Sequence, residues 1–342
     1  MKINKYKNIE DIEEQWKKCF NGNNCFTSFQ SYEWNFYLQK KFKYFKNKVG
    51  RIVKGSKEVV FFLFTDNRDT IIAPLIISNS EKKVYIFGQQ DMSDYLSFIF
   101  PNTVSGQFIH KVIVYLKNTY NEYCFCIDRV NESNKKMIEG CLLANPSEKV
   151  LKNCVKIPII DDLINVINSD SRRYFNQARK RLITDNLSLQ FSFENRKINS
   201  CDLRILLDHY NQRRINKFNI SKLRSKIQHA KQFVFAKLGF EEDMVTLFIA
   251  KRCRTYLFRC IINGQLAAYI IGAIYMDTLY VLRISINDSL SEYRPGVLLI
   301  VESVKHVFDQ EKEIKYLDFS RGDESYKLNY GGVIHHNYYF EF

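Results

Sequence analysis

The sequence predicts an α/β fold built as two similar units in tandem, and three observations point to it. The chain has 342 residues, which at roughly 150 residues per domain gives about two domains. Asn263-Gly264, the strongest short hairpin signal, lies between two runs rich in β-branched and aromatic residues. The order of elements around that hairpin (strand, hairpin, strand, turn, strand, polar loop, helix, strand) occurs once before, roughly 195 residues earlier. The repeat is one of element order, because residue identity between the halves is slight.

Taken in chain order, residues 59–64 and 71–77 are apolar runs separated by the turn at 66–69, and a turn at 80–82 leads to a third strand at 84–87. A long loop, a helix over 108–116 and a strand at 123–127 complete the first unit. Residues 132–170 join the halves. The middle reads as mainly helical, with helices over 172–182, 202–214, 222–237 and 241–251 and one strand at 187–193. Residues 255–262 and 266–275 are the arms of the Asn263-Gly264 hairpin, and Met276-Asp277 turns the chain into a strand at 279–286. The polar stretch 287–295 precedes a helix over 297–308, apolar nearly all round its first two turns, and a strand follows at 315–319. These elements place the domains at 1–155 and 156–342.

Composition narrows the class without naming a function. With 46% hydrophobic and 26% charged residues the chain has a globular balance, which excludes disordered, collagen-like and disulfide-miniprotein readings. The formal charge of +14 favours encounter with anionic partners such as nucleic acid, anionic lipid or a phosphorylated cofactor, without choosing among them. The nine cysteines form no C-x-x-C pair, and a reducing, cytoplasmic setting fits them. Cys124 and Cys126 fall on the same face of a strand, poor geometry for a metal knuckle. The basic N-terminus lacks an apolar stretch behind it, so no signal peptide is indicated, and the longest uncharged run is interrupted by the hairpin.

Two stretches could carry chemistry. In Ser291-Glu292-Tyr293-Arg294-Pro295-Gly296-Val297, a polar loop opens a helix with Pro in its first turn, and Gly296 permits close backbone approach. Free N–H groups at such a start, with Arg294 beside them, suit a phosphate; an ordinary Pro-started helix is the plainer reading. Neither a G-x-G-x-x-G nor a P-loop motif is present, which argues against dinucleotides and nucleoside triphosphates. The second stretch runs from Asp318 through Arg321, Gly322, Asp323, Glu324, Tyr326 and Lys327 to Gly332, at the C-terminal end of a strand where α/β sheets bind ligands. A solvated loop is its alternative.

Leu317-Asp318-Phe319-Ser320-Arg321-Gly322-Asp323-Glu324-Ser325-Tyr326-Lys327, preceded by Tyr293-Arg294-Pro295-Gly296-Val297-Leu298-Leu299, resembles the C-terminal motifs of the CelD/BcsL family of GNAT-fold acyltransferases. Leu266-Ala267-Ala268, Phe29-Gln30-Ser31-Tyr32-Glu33-Trp34 and Ser93-Asp94-Tyr95-Leu96 extend the resemblance over nearly the whole chain. It implies two tandem GNAT-like units, each a mixed, mostly antiparallel sheet flanked by helices, related in plan to the Fem peptidyltransferases. It also implies an acyl-CoA-dependent N-acyltransferase, acetyl-CoA being the default donor and an amino sugar or a polysaccharide or cell-wall amine the default acceptor.

On this resemblance Tyr293, Arg294, Pro295, Gly296 and Val297 cradle the CoA pyrophosphate, and Ile284, Ser285 and Ile286 hydrogen-bond the pantetheine arm where their strand splays. Tyr326 protonates the departing thiolate, Lys327 and Arg321 hold an anionic acceptor or the cofactor, and Asp318 orients or deprotonates the amine, with Asp323 and Glu324 as rivals. The first unit lacks Pro-Gly at the equivalent loop, so no cofactor is expected there; Asp94 and Tyr95 are expected at the acceptor or between the domains. His110, His209, His229 and His306 fall on helices without ligand spacing and His335-His336 on a terminal strand, one facing each way. No metal site and no G-x-S-x-G elbow is indicated. The basic runs at 40–48 and 172–181 could track nucleic acid or touch a membrane surface, and are more often solvated faces. A Fem-like transferase using aminoacyl-tRNA and a non-catalytic binding module are the alternatives.

Overall fold

The computed structural model describes residues 1–23, 26–49, 57–88, 93–132, 134–135, 147–161, 163–195, 202, 205–206, 208–210, 213, 254–322 and 324–342. The helices expected over 222–237 and 241–251 lie outside the described residues. Contacts group the chain into two units, Met1–Cys154 with His335–Phe342, and Val155–Ile334.

In chain order the first unit holds β1 (Lys2–Tyr6), α1 (Glu13–Asn21), α2 (Tyr32–Val49), β2 (Lys57–Asp66), β3 (Asp69–Ser78), β4 (Lys83–Ile86), α3 (Gly106–Thr119) and β5 (Cys124–Asn131). After it come β6 (Ser147–Pro158), α4 (Leu163–Val166), α5 (Ser169–Thr184), β7 (Leu189–Asn195), β8 (Thr255–Ile262), β9 (Gln265–Tyr275), β10 (Thr278–Ile286), α6 (Pro295–Gln310), β11 (Tyr316–Arg321) and α7 (Ser325–Leu328). The chain ends in β12 (Val333–Glu341). Each unit is thus a mixed, mostly antiparallel sheet with helices, the fold class the sequence predicts.

The strands of the two units repeat one plan. Strand order is β1-β2-β3-β4-β5-β12 in the first unit, and β7-β8-β9-β10-β11 read the same way in the second, where β11 is followed by β6, whose residues from Val155 on belong to that unit. In both, the three strands of the meander pair antiparallel and the fourth pairs parallel after a helical crossover. The parallel register is the same three pairs long in each: Lys83, Val84 and Tyr85 face Cys124, Phe125 and Cys126, while Thr278, Leu279 and Tyr280 face Tyr316, Leu317 and Asp318. The sixth strand of the first unit is borrowed across the sequence. β12 returns to pair antiparallel with β5, which is why residues 335–342 group with the first unit, a return that a boundary drawn at 155/156 leaves out.

Local chemistry explains the elements. Asn263 (φ 48°) and Gly264 (φ 75°) take the left-handed conformations that a two-residue hairpin turn with the right twist requires. On α6, Leu298, Leu299, Val304 and Val307 are at most 1% exposed, packed against α5 and the sheet. Burying such side chains contributes about 1.5–3 kcal/mol each. The first unit packs around Trp16 and Phe61, ring centroids 6.0 Å apart. Among the described residues Cys19, Cys124, Cys126, Cys154 and Cys260 form no disulfide. Among the described residues no helix is long and apolar enough to cross a membrane.

Candidate functional site

Strand β10 pairs with β9 along its whole length, with a bulge between Val281 and Arg283, but its register with β11 stops at Tyr280 opposite Asp318. From Arg283 to Ile286, β10 therefore runs on past its parallel neighbour. Asp318 sits where the strands part. It is fully buried, and its Oδ1 accepts a hydrogen bond from the Ser320 N–H at 2.6 Å, bending β11 away at Ser320 (φ 56°). Its charge, after burial, helps push the Tyr280 phenol pKa up. These contacts fix Asp318 at the point where the two strands part.

At the far end of β10 the Asn287 side chain accepts the Ser289 N–H at 3.1 Å, starting a 3-10 turn over Asp288–Tyr293. Tyr293 folds back, its hydroxyl donating to Asp185 Oδ2 at 2.9 Å, so its side chain is committed to α5 and its backbone alone is placed for a ligand. Arg294 is the N-cap of α6 in the left-handed region (φ 48°), and its guanidinium lies 3.7 Å from the Tyr174 ring centre. Pro295 occupies the first helical position, where a missing N–H costs nothing. A Cβ on Gly296 would stand 2.6 Å from Ile286 Cδ1, so this glycine lets the helix start close on β10. Val297 N–H donates to Arg294 O at 3.0 Å. Arg294, Gln177, Lys180, Arg181 and Glu292 line an open groove of about 480 Å³ at this helix start. Asp185 lines it too, and Arg181 pairs with Asp185 and Glu292, so the positive dipole end of α6 with Arg294 and Lys180 is what suits an anion there.

Residue alternation turns Ile284 and Ile286 toward the core under α5 and α6, and Ser285 to the opposite face. There the helical residues 206 and 208–210 lie against the sheet. Tyr269 hydroxyl donates to Leu206 O at 2.5 Å, Arg283 lies over the Tyr210 ring at 4.6 Å, and His209 Nδ1 is 3.0 Å from Ser285 Oγ. Arg213, one turn beyond His209, is 3.8 Å from Asp288. Burial, aided by Arg213, lowers the His209 pKa against the opposing Leu266 backbone and Asp288. His209 is the residue that sequence reasoning missed. It was set aside for lacking ligand spacing, and its partner is 76 positions away on another element.

Tyr326, on α7, is 38% exposed and meets the Phe319 ring edge-on at 6.2 Å. Burial of its hydroxyl region and the nearby Glu324 push its pKa to about 12, with Arg213 opposing, so the phenol carries its proton at neutral pH. Lys327 points the other way. Its ammonium is buried and donates to Gly322 O at 3.0 Å and Phe319 O at 3.4 Å, and pairs with Glu324 at 2.8 Å. These contacts brace the loop after β11. Arg321 ends β11, with its side chain outside the description, and Asp323 lies outside the described residues.

In the first unit, Tyr95 is 2% exposed and its hydroxyl lies 2.8 Å from His335 Nε2; the Asp94 carbonyl accepts from Asn337 Nδ2 at 2.7 Å. Both contacts hold β12, and Tyr95 is buried in the first unit. Leu96 N–H donates to Arg129 O at 3.0 Å, so the loop after β4 lies against the part of β5 that outruns β4.

A strand leaves its parallel partner beside a Pro-Gly helix start, within an α/β unit. Residues 169–328 match the family model described as an acetyltransferase (GNAT) domain. No curated protein matches the sequence. Among solved structures the chain is similar to FemX, at 9% identity, 99% of this chain and 97% of that one covered, TM-score 0.57. It is also similar to a conserved protein of unknown function from Bacteroides thetaiotaomicron (13% identity, 99% of each chain, TM-score 0.55). A third is the C-terminal domain of a putative lysylphosphatidylglycerol synthetase from Agrobacterium fabrum (8% identity, 97% and 92%, TM-score 0.53). At such identities the likeness is one of fold.

Proposed function

We propose that the protein is an acyl-CoA-dependent N-acyltransferase of the CelD/BcsL type, with the donor bound by the second unit alone. The observation that carries this is β10 continuing past β11 and running into the Pro295-Gly296 helix start. The exposed edge of β10 can hydrogen-bond the amides of a pantetheine arm, and the groove with Arg294 and Lys180 takes the pyrophosphate. The first unit has its own loop against β5 in the corresponding place and no Pro-Gly start, which supports a role without cofactor.

The acceptor amine attacks the thioester carbonyl directly, the C–N bond forming as the C–S bond breaks; Tyr326 gives its proton to the departing thiolate, and the proton the amine sheds returns through solvent to the phenolate. Positioning of the two substrates supplies most of the rate. The acceptor class, an amino sugar or an amine on a polysaccharide or cell-wall precursor, rests on the family resemblance. Titration calorimetry of the intact chain with acetyl-CoA and longer acyl-CoAs tests the reading, and no heat with any of them overturns it. The cationic face of α5, where Arg172, Arg173 and Lys180 line a further groove of about 450 Å³, favours a second reading, a Fem-like aminoacyl-tRNA-dependent transferase. That reading requires tRNA binding that weakens steeply with salt and no affinity for CoA.

A further inference from the structure

Strand alternation puts Cys124 and Cys126 on one face of β5. Glu341 of β12 is the register partner of Cys126, so its carboxylate projects from the same face, 217 positions from Cys124 in the chain. One ligand atom from each of the three lies within 4.8 Å of the others. The sequence reading gave the thiols no ligand role because two sulfurs on a strand make a poor knuckle. The third donor, invisible in the local sequence, changes that.

We propose that Cys124, Cys126 and Glu341 form a binding site for a thiophilic divalent cation of the zinc class. The donor set of two sulfurs and one carboxylate oxygen is one that zinc takes, with a water completing the tetrahedron. Zinc with bonds of about 2.3 Å to sulfur holds its sulfurs ~3.7 Å apart, so the side chains need to close by about 1 Å or less. The carboxylate is already oriented for it. Tyr339 hydroxyl donates to Glu341 Oε2 at 3.1 Å, while Oε1 faces the thiols and accepts from Cys124 Sγ at 3.2 Å. Such outer hydrogen bonds fix a ligand's aim. Two thiolates and a carboxylate around a dication leave one negative charge, and the Lys83 ammonium of β4, 4.0 Å from Glu341 Oε1, offsets it. Binding displaces one proton from each thiol to solvent and involves no redox change. The ion would clip β12 to β5.

The test is titration of the intact, reduced chain with cadmium chloride, read as the ultraviolet thiolate-to-cadmium charge-transfer band. The expected result is one saturating equivalent, lost in Cys124→Ser/Cys126→Ser and weakened at least about tenfold in Glu341→Gln. A band of full size in the double variant, or none in the unaltered chain, overturns the proposal. Should the double variant fail to fold, alkylation of the unaltered chain with and without zinc chloride decides. Cys124, the partly exposed thiol of the two, is then protected by the metal, and equal labelling of Cys124 in both conditions overturns the site.

Discussion

His209 Nδ1 lies 3.0 Å from Oγ of Ser285, a fully buried serine on the stretch of β10 that has outrun β11. The contact ties the helix over the sheet to the strand proposed to hold the donor. His209→Ala leaves that hydroxyl unpaired and is expected to cost about 1–3 kcal/mol in urea denaturation. The pH dependence has a definite sign. The folded pKa is lowered by burial, so below the unfolded value near 6.5 the unfolded chain binds the extra proton. The stabilisation is full above about pH 6.5 and is lost as pH falls toward the folded pKa. His209→Gln should therefore flatten the fall in stability between about pH 7.5 and 5.5; an unchanged slope contradicts the assignment.

Gly296 and Ile286 are sterically coupled, with 2.6 Å between a Cβ on the one and Cδ1 of the other. Gly296→Ala is expected to lose about 1–3 kcal/mol by overpacking and to weaken acetyl-CoA binding with it. Ile286→Val, which removes that Cδ1, should restore most of both in the double variant. Additive losses would show that the glycine acts by some other means.

Lys327 braces the loop after β11, so Lys327→Met is expected to lower stability by about 2–3 kcal/mol, because two carbonyls lose a charged donor. Glu324→Gln should cost far less, its side chain being 58% exposed. Thermal melts separate the two. Full stability in Lys327→Met with lost turnover would return Lys327 to a catalytic role.

Much of this plan was legible in the sequence, and what was hidden is specific. The Asn263-Gly264 hairpin and strand β8 were readable to the residue because two-residue turns and β-branched runs are local signals. The duplicated order was readable because it is carried by spacing. The surroundings of Tyr95, Asp318 and Lys327 were not legible, because a polar residue near a strand's end looks the same in sequence whether it faces solvent or bonds a buried group. Tyr95 and Lys327 are at most 3% exposed, and each polar atom is spoken for by a residue that only the fold brings near. His209 and Glu341 illustrate the converse, since their partners lie 76 and 217 positions away.

Tyr326 carries its proton at neutral pH, held there by burial and Glu324. Tyr326→Phe is expected to lower kcat about 10²-fold or more with little change in the KM for the donor. Steady-state rates of thiol release from acetyl-CoA measure this, and an equal kcat would remove the phenol from the chemistry.

The central claim is that the second unit alone takes acyl-CoA, along β10 and at the start of α6. Hydrogen–deuterium exchange on the intact chain, with and without acetyl-CoA, tests it most directly, since a bound ligand protects the amides it covers. The account predicts protection over residues 283–286 and 296–298, with none over the corresponding 84–88 and 106–108 of the first unit. Protection in the first unit, or in neither, would contradict it.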